Sequence, residues 1–197
     1  MNSPDSARFP LAAPLVLALC TATMAFMLSV LRGDRAPAVV FTIIAGNHVR
    51  LESLRGRPLL VNFWATTCSI CRREIPKLAA LYRELQPRGL ELIGVAMPYD
   101  PPNLVAEYAR RSSIPYPVSL DVDAGIVSAF GGITVTPTTF LIGPDGRVLR
   151  RQEGMLDFGA LRLQILELVP RARPQGHEHR ETAPANATAQ IAMRERW

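Results

Sequence analysis

Two continuous apolar blocks, residues 59–64 and 90–96, stand out along the middle of the chain. Apolar and polar positions alternate little within them, as expected of strands that are buried on both faces of a sheet. Between these blocks the apolar residues of the stretch 75–85 recur at helical spacing and predict a helix. Pro76 is expected to interrupt this helix. The order strand, helix, strand predicts two parallel strands joined by a right-handed crossover.

Shorter patterns on either side extend this order. Residues 40–44 and 49–51, joined by the turn Gly46-Asn47, predict a hairpin, and residues 53–56 predict one helical turn. Further along, the patterns predict helices over residues 103–111 and 158–168, a short helix capped by Asp123, a cap at Asp157, and hairpin strands over residues 138–142 and 147–151. Together these elements predict an α/β fold, with a mixed central sheet flanked by helices on both faces.

The ends of the chain have a different composition. Residues 11–31 carry no charge, and as a helix they could cross roughly 30 Å of hydrocarbon, so we interpret them as one uncleaved transmembrane anchor. Cys20 is then a small apolar residue of this helix, with lipidation as the alternative. The remaining boundaries are predicted as a polar lead over residues 1–10, a linker over 32–38, a globular domain over 39–169 and a disordered tail over 170–197.

The net charge does not indicate nucleic acid as a partner. The formal charge is +5, nearly all of the positive charge is arginine, and Lys77 is the only lysine. These residues are scattered, and no basic run interleaves with aromatic residues as nucleic-acid binding would require. We therefore expect no nucleic-acid partner.

The candidate catalytic residues are Cys68 and Cys71, which lie between the end of the predicted strand 59–64 and the start of a predicted helix. A thiol at a helix N-terminus faces unpaired N–H groups and the positive end of the macrodipole, which favour a thiolate. Arg72 and Arg73 act in the same direction, and Glu74 opposes them. Two thiols three residues apart lie on one face of a helix. They could close and reopen a disulfide, so the pair predicts a thiol–disulfide exchange catalyst.

Three other interpretations of the cysteine pair are open. A zinc site would need two more ligands, and the remaining candidates are Cys20 and the three histidines, His48, His177 and His179. A purely structural disulfide would constrain the unfolded chain little, because the closed loop is so short. A pair of thiolates would also suit copper(I), as in a metal-binding assembly factor. We expect no bound metal. No nucleotide or flavin fingerprint is present, so we expect no cofactor either, and the electrons must come from another protein.

Three motifs in this order resemble the thioredoxin superfamily. They are WATTCSIC at residues 64–71, VTPTTFLI at 135–142 and GPDGRV at 143–148. With the N-terminal hairpin, the stretch 51–58 and an insertion between Ala96 and Ile133, the chain resembles the membrane-anchored thiol–disulfide oxidoreductases of the TlpA/ResA/CcmG type. The resemblance covers residues 39–168 and implies a thioredoxin-like fold with an extra strand and helix in the insertion.

The resemblance implies a role for five residues. Cys68 would be the nucleophile and Cys71 the residue that resolves the mixed disulfide. Pro137 would be a cis proline that faces the thiols, and the backbone of Thr136 would offer hydrogen bonds to a bound chain. Trp64 would form an apolar wall of the substrate-binding site, with core packing as its alternative role.

The chain departs from the family pattern in two places. Thioredoxins carry a buried acid where this chain has Asn62, and an amide cannot act as a base. Some relatives supply an acid from the central insertion, which makes Asp100 a candidate base, with helix capping before Pro101 as the alternative. The residues between the thiols, Ser69 and Ile70, also differ from well-known members, which bears on the redox potential.

The implied function is the reduction of disulfides in exported proteins, such as apocytochrome c. Electrons would come from a membrane electron-donor protein, and the domain would lie on the extracytoplasmic (periplasmic) side of the inner membrane. Arg8 before the anchor, and Arg32 and Arg35 after it, do not favour a cytoplasmic N-terminus, but long domains translocate with limited regard to charge. The alternative within the same class is a disulfide oxidase or isomerase.

Overall fold

The computed structural model of the protein describes residues 12–31 and 34–170. Helix α1 runs over Ala12–Leu31, at the position of the predicted anchor. Within the described residues, no helix has the length and apolar character needed to cross a membrane. The anchor, whose first residue lies outside the described ranges, stays a prediction. The predicted lead and all but the first residue of the predicted tail also lie outside them.

The rest of the described chain alternates between strands and helices. The strands are β1 Val40–Ile43, β2 His48–Arg50, β3 Leu59–Trp64, β4 Glu91–Ala96, β5 Val118–Leu120, β6 Thr138–Ile142 and β7 Val148–Glu153. The α-helices are α2 Ser69–Leu85, α3 Pro102–Arg111, α4 Gly125–Ala129 and α5 Phe158–Leu168, with short 3-10 turns over Leu51–Leu54 and Gln86–Arg88. The predicted elements are thus confirmed, with boundaries shifted by a few residues. The predicted interruption at Pro76 is wrong, because α2 begins at Ser69 and continues through Pro76 to Leu85.

The strands form one mixed sheet in the order β2-β1-β5-β4-β3-β6-β7. Strands β3 and β4 pair in parallel, with α2 between them in sequence, as the apolar blocks predicted. The hairpins β1–β2 and β6–β7 are antiparallel. The insertion contributes α3, β5 and α4, and β5 pairs with β4 and with β1. The sheet therefore brings the C-terminal ends of β3 and β4 beside the N-terminal start of β6.

Burial on both faces of the sheet explains why apolar and polar residues alternate so little along strand β3. All six of its residues are buried, because a hydrophobic cluster covers each face of the sheet. Leu60 and Trp64 belong to one cluster, while Val61 and Phe63 belong to the other. Phe63 makes edge-on ring contacts with two aromatic residues on the second face, at centroid distances of 5.3 and 5.9 Å. This two-sided burial confirms the predicted α/β layering.

The predicted cap of the short helix α4 was placed at the wrong residue. Asp123 accepts a bond only from the N–H of Gly125, at 3.2 Å. The buried carboxylate of Asp121 accepts bonds from the N–H groups of Ile126 and Val127, both at 2.8 Å. Asp121 therefore satisfies two of the free donors at the helix start. Local sequence favoured Asp123 because it stands closer to the helix.

The segment predicted as a linker is attached to the domain. The N–H of Ala36 donates to the carbonyl of Gly146 at 2.9 Å, and the N–H of Val148 donates to the carbonyl of Asp34 at 2.9 Å. Arg35 forms an isolated antiparallel bridge with Arg147. The described part of this segment thus extends the sheet beside the start of β7.

Gly94 on β4 is required by close packing. An added Cβ would lie 3.1 Å from Trp64 Nε1 and 3.2 Å from Tyr116 Cε2, both in large buried rings. We expect Gly94→Ala to destabilise the protein by about 1–3 kcal/mol, because overpacking forces these rings out of place. Urea unfolding would measure the loss. The control is Ser112→Ala, at an exposed position. Gly132→Ala is not used, because Gly132 has a positive φ that alanine would strain. A loss of stability in Ser112→Ala equal to that in Gly94→Ala would contradict the packing argument.

Candidate active site

The two candidate cysteines are joined in the structure. Cys68 and Cys71 form a disulfide, with their Cα atoms 5.3 Å apart. Cys68 is half-buried, whereas Cys71 is only 2% exposed. A partner can therefore reach the first sulfur more readily than the second.

Cys68 caps the N-terminus of α2. Its backbone is extended while Ser69 begins the helix, and its Sγ accepts a bond from the N–H of Cys71 at 3.1 Å. The predicted position at a strand-to-helix junction is thus confirmed. In the reduced protein the same N–H and the helix terminus would stabilise negative charge on this sulfur.

The segment around Pro137 faces the disulfide, as the resemblance implied. The peptide bond between Thr136 and Pro137 is cis. The carbonyl oxygen of Thr136 lies 3.6 Å from Cys68 Sγ, a contact with no proton to share while the disulfide is closed. The carbonyl of Pro137 accepts a bond from the N–H of Gly154 at 2.8 Å. The start of β6 and the loop after β7 are therefore held together beside Cys68.

Trp64 occupies a core position. Its side chain is 1% exposed, and its ring lies 5.6 Å from that of Tyr108. The indole Nε1 has no hydrogen-bond partner within the described chain. This placement fits the alternative role in core packing, and a direct contact between Trp64 and a substrate stays a prediction.

Asp100 holds the loop that precedes the cysteines. It is 5% exposed, and its two carboxylate oxygens accept bonds from the N–H of Thr66, at 2.5 Å, and from the Thr66 hydroxyl, at 2.6 Å. The predicted cap before Pro101 is wrong, because the N-cap of α3 is Pro101 and receives no side-chain bond. Since Thr66 stands two residues before Cys68, Asp100 ties the active-site loop to the turn that follows β4.

Asn62 is satisfied within the sheet. It is 2% exposed, and its Nδ2 donates to Thr139 Oγ1 of the paired strand β6 at 2.8 Å. The position that carries an acid in thioredoxins is therefore an uncharged structural pair here, and it supplies no base.

Glu74, named above only for its charge near the thiols, is a buried acid. It lies three residues after Cys71 on α2 and is 5% exposed. Its Oε1 accepts a bond from the N–H of Leu156 at 2.6 Å, and its Oε2 has no partner among the described residues. Burial raises the pKa of Glu74, although the Leu156 N–H and the charges of Lys77 and Arg73 partly offset that rise. Helical spacing was the available signal, because it places residue 74 on the face of Cys71 and Leu78.

The raised pKa of Glu74 predicts a pH-dependent stability. The folded protein binds the proton of such an acid more tightly than the unfolded protein does. The resulting contribution to stability is complete at pH values below the ordinary pKa, here 4.5, and is lost as the pH rises through the raised pKa. We therefore expect Glu74→Gln to gain stability relative to the natural protein as the pH increases above 4.5. Urea unfolding of the disulfide form from pH 4 to 8 would measure this difference.

Glu84 provides a control of opposite sign for that experiment. Its hydrogen bond with Arg162 lowers its pKa, so Glu84→Gln should lose relative stability as the pH rises from acid. A Glu74→Gln profile parallel to that of the natural protein would show that the Glu74 carboxyl is not perturbed by burial.

The fold and the site together define a thiol–disulfide oxidoreductase of the thioredoxin-like class. Residues 32–151 match the AhpC/TSA family, and the chain belongs to this thioredoxin-like family. Two similar relatives are both thiol-disulfide oxidoreductases named ResA. That of Bacillus subtilis is 30% identical over 128 residues, which cover 65% of this chain and 70% of the relative. ResA of Bacillus thuringiensis is 32% identical over 123 residues, covering 62% and 69%.

Solved structures agree with this assignment. A thiol:disulfide interchange protein DsbE from Chlorobium tepidum, described as putative, has a TM-score of 0.64 at 26% identity, over 70% of this chain and 96% of that one. A putative thioredoxin from Neisseria meningitidis has a TM-score of 0.64 at 32% identity, over 74% and 97%. The resemblance implied by the three motifs is thus confirmed.

Proposed function

We propose that the protein reduces disulfides of exported proteins through the Cys68/Cys71 dithiol. The observation that carries this proposal is the asymmetry of the two sulfurs. Cys68 is accessible, caps α2 and lies 3.6 Å from the Thr136 carbonyl, whereas Cys71 is buried behind it. Such an arrangement suits an attacking sulfur and an internal resolving sulfur.

The reaction would proceed in two exchanges. The Cys68 thiolate attacks one sulfur of a substrate disulfide that lies along Thr136 and Pro137, and the other substrate sulfur leaves as a thiolate that takes up a proton. Cys71 then loses its proton and attacks Cys68, which releases the second substrate thiol and leaves the Cys68–Cys71 disulfide seen in the structure. Two electrons pass from the dithiol to the substrate.

Glu74 is our candidate for the group that takes the proton from Cys71. It is the buried carboxyl one helical turn beyond Cys71, and its raised pKa brings it closer to neutrality. Its charge also bears on direction, because a carboxylate near the dithiol disfavours a thiolate and so makes the reduced form a better electron donor. Asp100 is less suited, since both of its oxygens bind Thr66.

The reduction potential tests the direction. Equilibration of the protein with buffers of dithiothreitol or glutathione, followed by alkylation of free thiols, would measure it. We expect a value near that of thioredoxin, about −270 mV, as a reductant requires. A value near −120 mV would contradict reduction and support the oxidase alternative.

The cellular setting belongs to the same proposal. A membrane anchor over residues 11–31 would hold the domain on the extracytoplasmic side, and a membrane electron-donor protein would reduce it again. The uncharged composition of residues 11–31 supports the anchor. Apocytochrome c is our proposed substrate, since it is an exported protein with cysteines that must be reduced.

Trapping in cells tests the substrate and the compartment together. Cys71→Ser removes the resolving sulfur, so we expect mixed disulfides between Cys68 and exported proteins to accumulate and to be identified by mass spectrometry. The double variant Cys68→Ser/Cys71→Ser should trap none. Adducts with cytoplasmic proteins alone would contradict the proposed location, and an absence of adducts would contradict the resolving role of Cys71.

The copper(I) alternative would be supported if a histidine lay close enough to join the two thiolates as a ligand. The placement of His48 gives no such support. His48 lies on the edge strand β2, four strand positions from β3 in the sheet order. At ~4.8 Å per strand this separates it by about 19 Å from the strand that leads to Cys68. Among the described residues, no group of three or more potential metal ligands comes together. His177 and His179 lie outside the described residues.

A further inference from the structure

A groove of about 350 Å³ opens beside the disulfide. Its lining residues are Ile70, Arg73, Glu74, Lys77, Met155 and Leu156, and these residues define what we call the basic groove. Ile70 stands between the two cysteines, so the groove begins at the reactive sulfurs. The two exchange steps described above make no use of it beyond Glu74.

Both walls of the basic groove are fixed by the fold. One wall is a face of α2, where residues 70, 73 or 74, and 77 follow one another at helical spacing. The other wall is the loop after β7, which is tied to α2 by the bond from Leu156 N–H to Glu74 and to β6 by the bond from Gly154 N–H to Pro137. The groove therefore continues from the backbone segment on which a substrate would lie.

The floor and the rim of the groove differ in chemistry. The apolar residues, which we call the floor, are Ile70 and Leu156, both half-buried, and Met155, which is 66% exposed. Apolar surface of this kind, with a polar rim, is typical of a surface that binds a partner. The floor would accept an apolar side chain.

The rim carries positive charge. Arg73 and Lys77 are exposed, and within the described chain neither has a salt bridge. Lys77 lies 5.5 Å from the centre of the Phe158 ring. The nearby Asp157 caps α5 through the N–H of Ala160 at 3.0 Å, and Glu74 lies beneath the surface. The exposed charges at the rim thus favour an acidic partner.

We infer that the basic groove binds the polypeptide that flanks the substrate cysteine and selects segments with an acidic side chain close to it. This inference rests on the proposed function, since the occupant is the disulfide substrate itself. Lys77 lies seven residues beyond Ile70 on α2, a rise of about 10 Å. An extended chain covers that distance in roughly three residues, so the acid stands two to four positions from the substrate cysteine.

Paired peptide substrates test the selection. Each peptide carries one cysteine in a disulfide with mercaptoethanol, and the two differ only in Glu or Lys three residues from that cysteine. The reduced full-length protein attacks the peptide sulfur and releases mercaptoethanol; Cys71 then releases the peptide thiol. We expect the Glu peptide to react about fivefold faster than the Lys peptide at low ionic strength, with the ratio falling as salt is added.

The double variant Arg73→Glu/Lys77→Glu should bring this ratio to one or invert it. The ratio is taken within each enzyme, so that any change in the reactivity of Cys68 cancels. Arg83→Glu, an exposed charge reversal in the last turn of the same helix, should leave the ratio unchanged. Thermal unfolding would verify that all variants are folded.

Hydroxyethyl disulfide separates the two proposals, because it is too small to reach the rim. If the natural protein reduces it but shows equal rates for the two peptides, or if the double variant keeps the natural ratio, the selection is overturned while the reductase function stands. If the natural protein reduces neither hydroxyethyl disulfide nor the peptides, the proposed function fails and the selection fails with it.

Discussion

Replacing Cys68 with serine is expected to lower the rate of disulfide reduction by at least about 10³-fold, because a hydroxyl at this position does not ionise near neutral pH. No other thiol can substitute for it at the site, since Cys71 is 2% exposed. Reduction of insulin by dithiothreitol, followed by turbidity, would measure the loss. The fold should persist, because a disulfide that closes so short a loop contributes little to stability.

Two comparisons make this experiment specific. Cys20→Ser introduces the same chemical change at the exposed cysteine of α1 and should leave the rate unchanged. Cys71→Ser should keep the first exchange and lose the second, so that one equivalent of mixed disulfide forms without turnover. If Cys68→Ser retains a tenth or more of the natural rate, the attacking sulfur has been assigned to the wrong residue.

Replacing Asp100 with alanine is expected to cost about 2–3 kcal/mol of unfolding free energy. The substitution leaves the N–H of Thr66 without its charged acceptor, and hydrogen bonds to charged groups are the more valuable ones. Thr66→Val removes only the hydroxyl bond and should cost about 1 kcal/mol. Urea unfolding of the disulfide form would rank the two variants.

The same substitution should also slow disulfide reduction by about tenfold, because a loosened loop no longer holds Cys68 in position. Asp121→Ala is the matched control. Asp121 is equally buried and also accepts two bonds, but they hold the start of α4. The Asp121→Ala variant should therefore lose a comparable amount of unfolding free energy. Its rate of disulfide reduction per folded molecule should stay unchanged. If both variants lose the same fraction of activity, Asp100 stabilises the fold without positioning the site.

The basic groove and the buried Glu74 give the site two features beyond the cysteine pair. Glu74 connects the helix that carries the thiols to the loop after β7 through the N–H of Leu156. The same loop supplies Met155 to the groove. Proton transfer at Cys71 and recognition of the substrate would thus depend on one shared contact. The peptide experiment tests the recognition, and the pH series tests the burial of the Glu74 carboxyl.

The sequence alone determined the order of the elements and the location of the chemistry. Strand β3 was evident because burial on both faces demands an unbroken apolar run. The cap of α5 by Asp157 was evident because a cap is a contact between neighbours. The placement of Cys68 at the start of α2 followed from the same local rules, and the three motifs identified the superfamily.

Only the tertiary structure decided which polar side chains serve the site. Asp100 reaches Thr66 across 34 residues, and Glu74 reaches Leu156 across 82. Such partners meet because the sheet order brings the ends of β3, β4, β6 and β7 together. The pattern along the chain records which residues are apolar and how they repeat, but it carries no direct record of which distant donor faces which acceptor. For that reason the role of Asp100 was misjudged, while the cysteine pair was not. The cap of α4 was misplaced for a local reason, because Asp123 stands closer to the helix in sequence than Asp121 does.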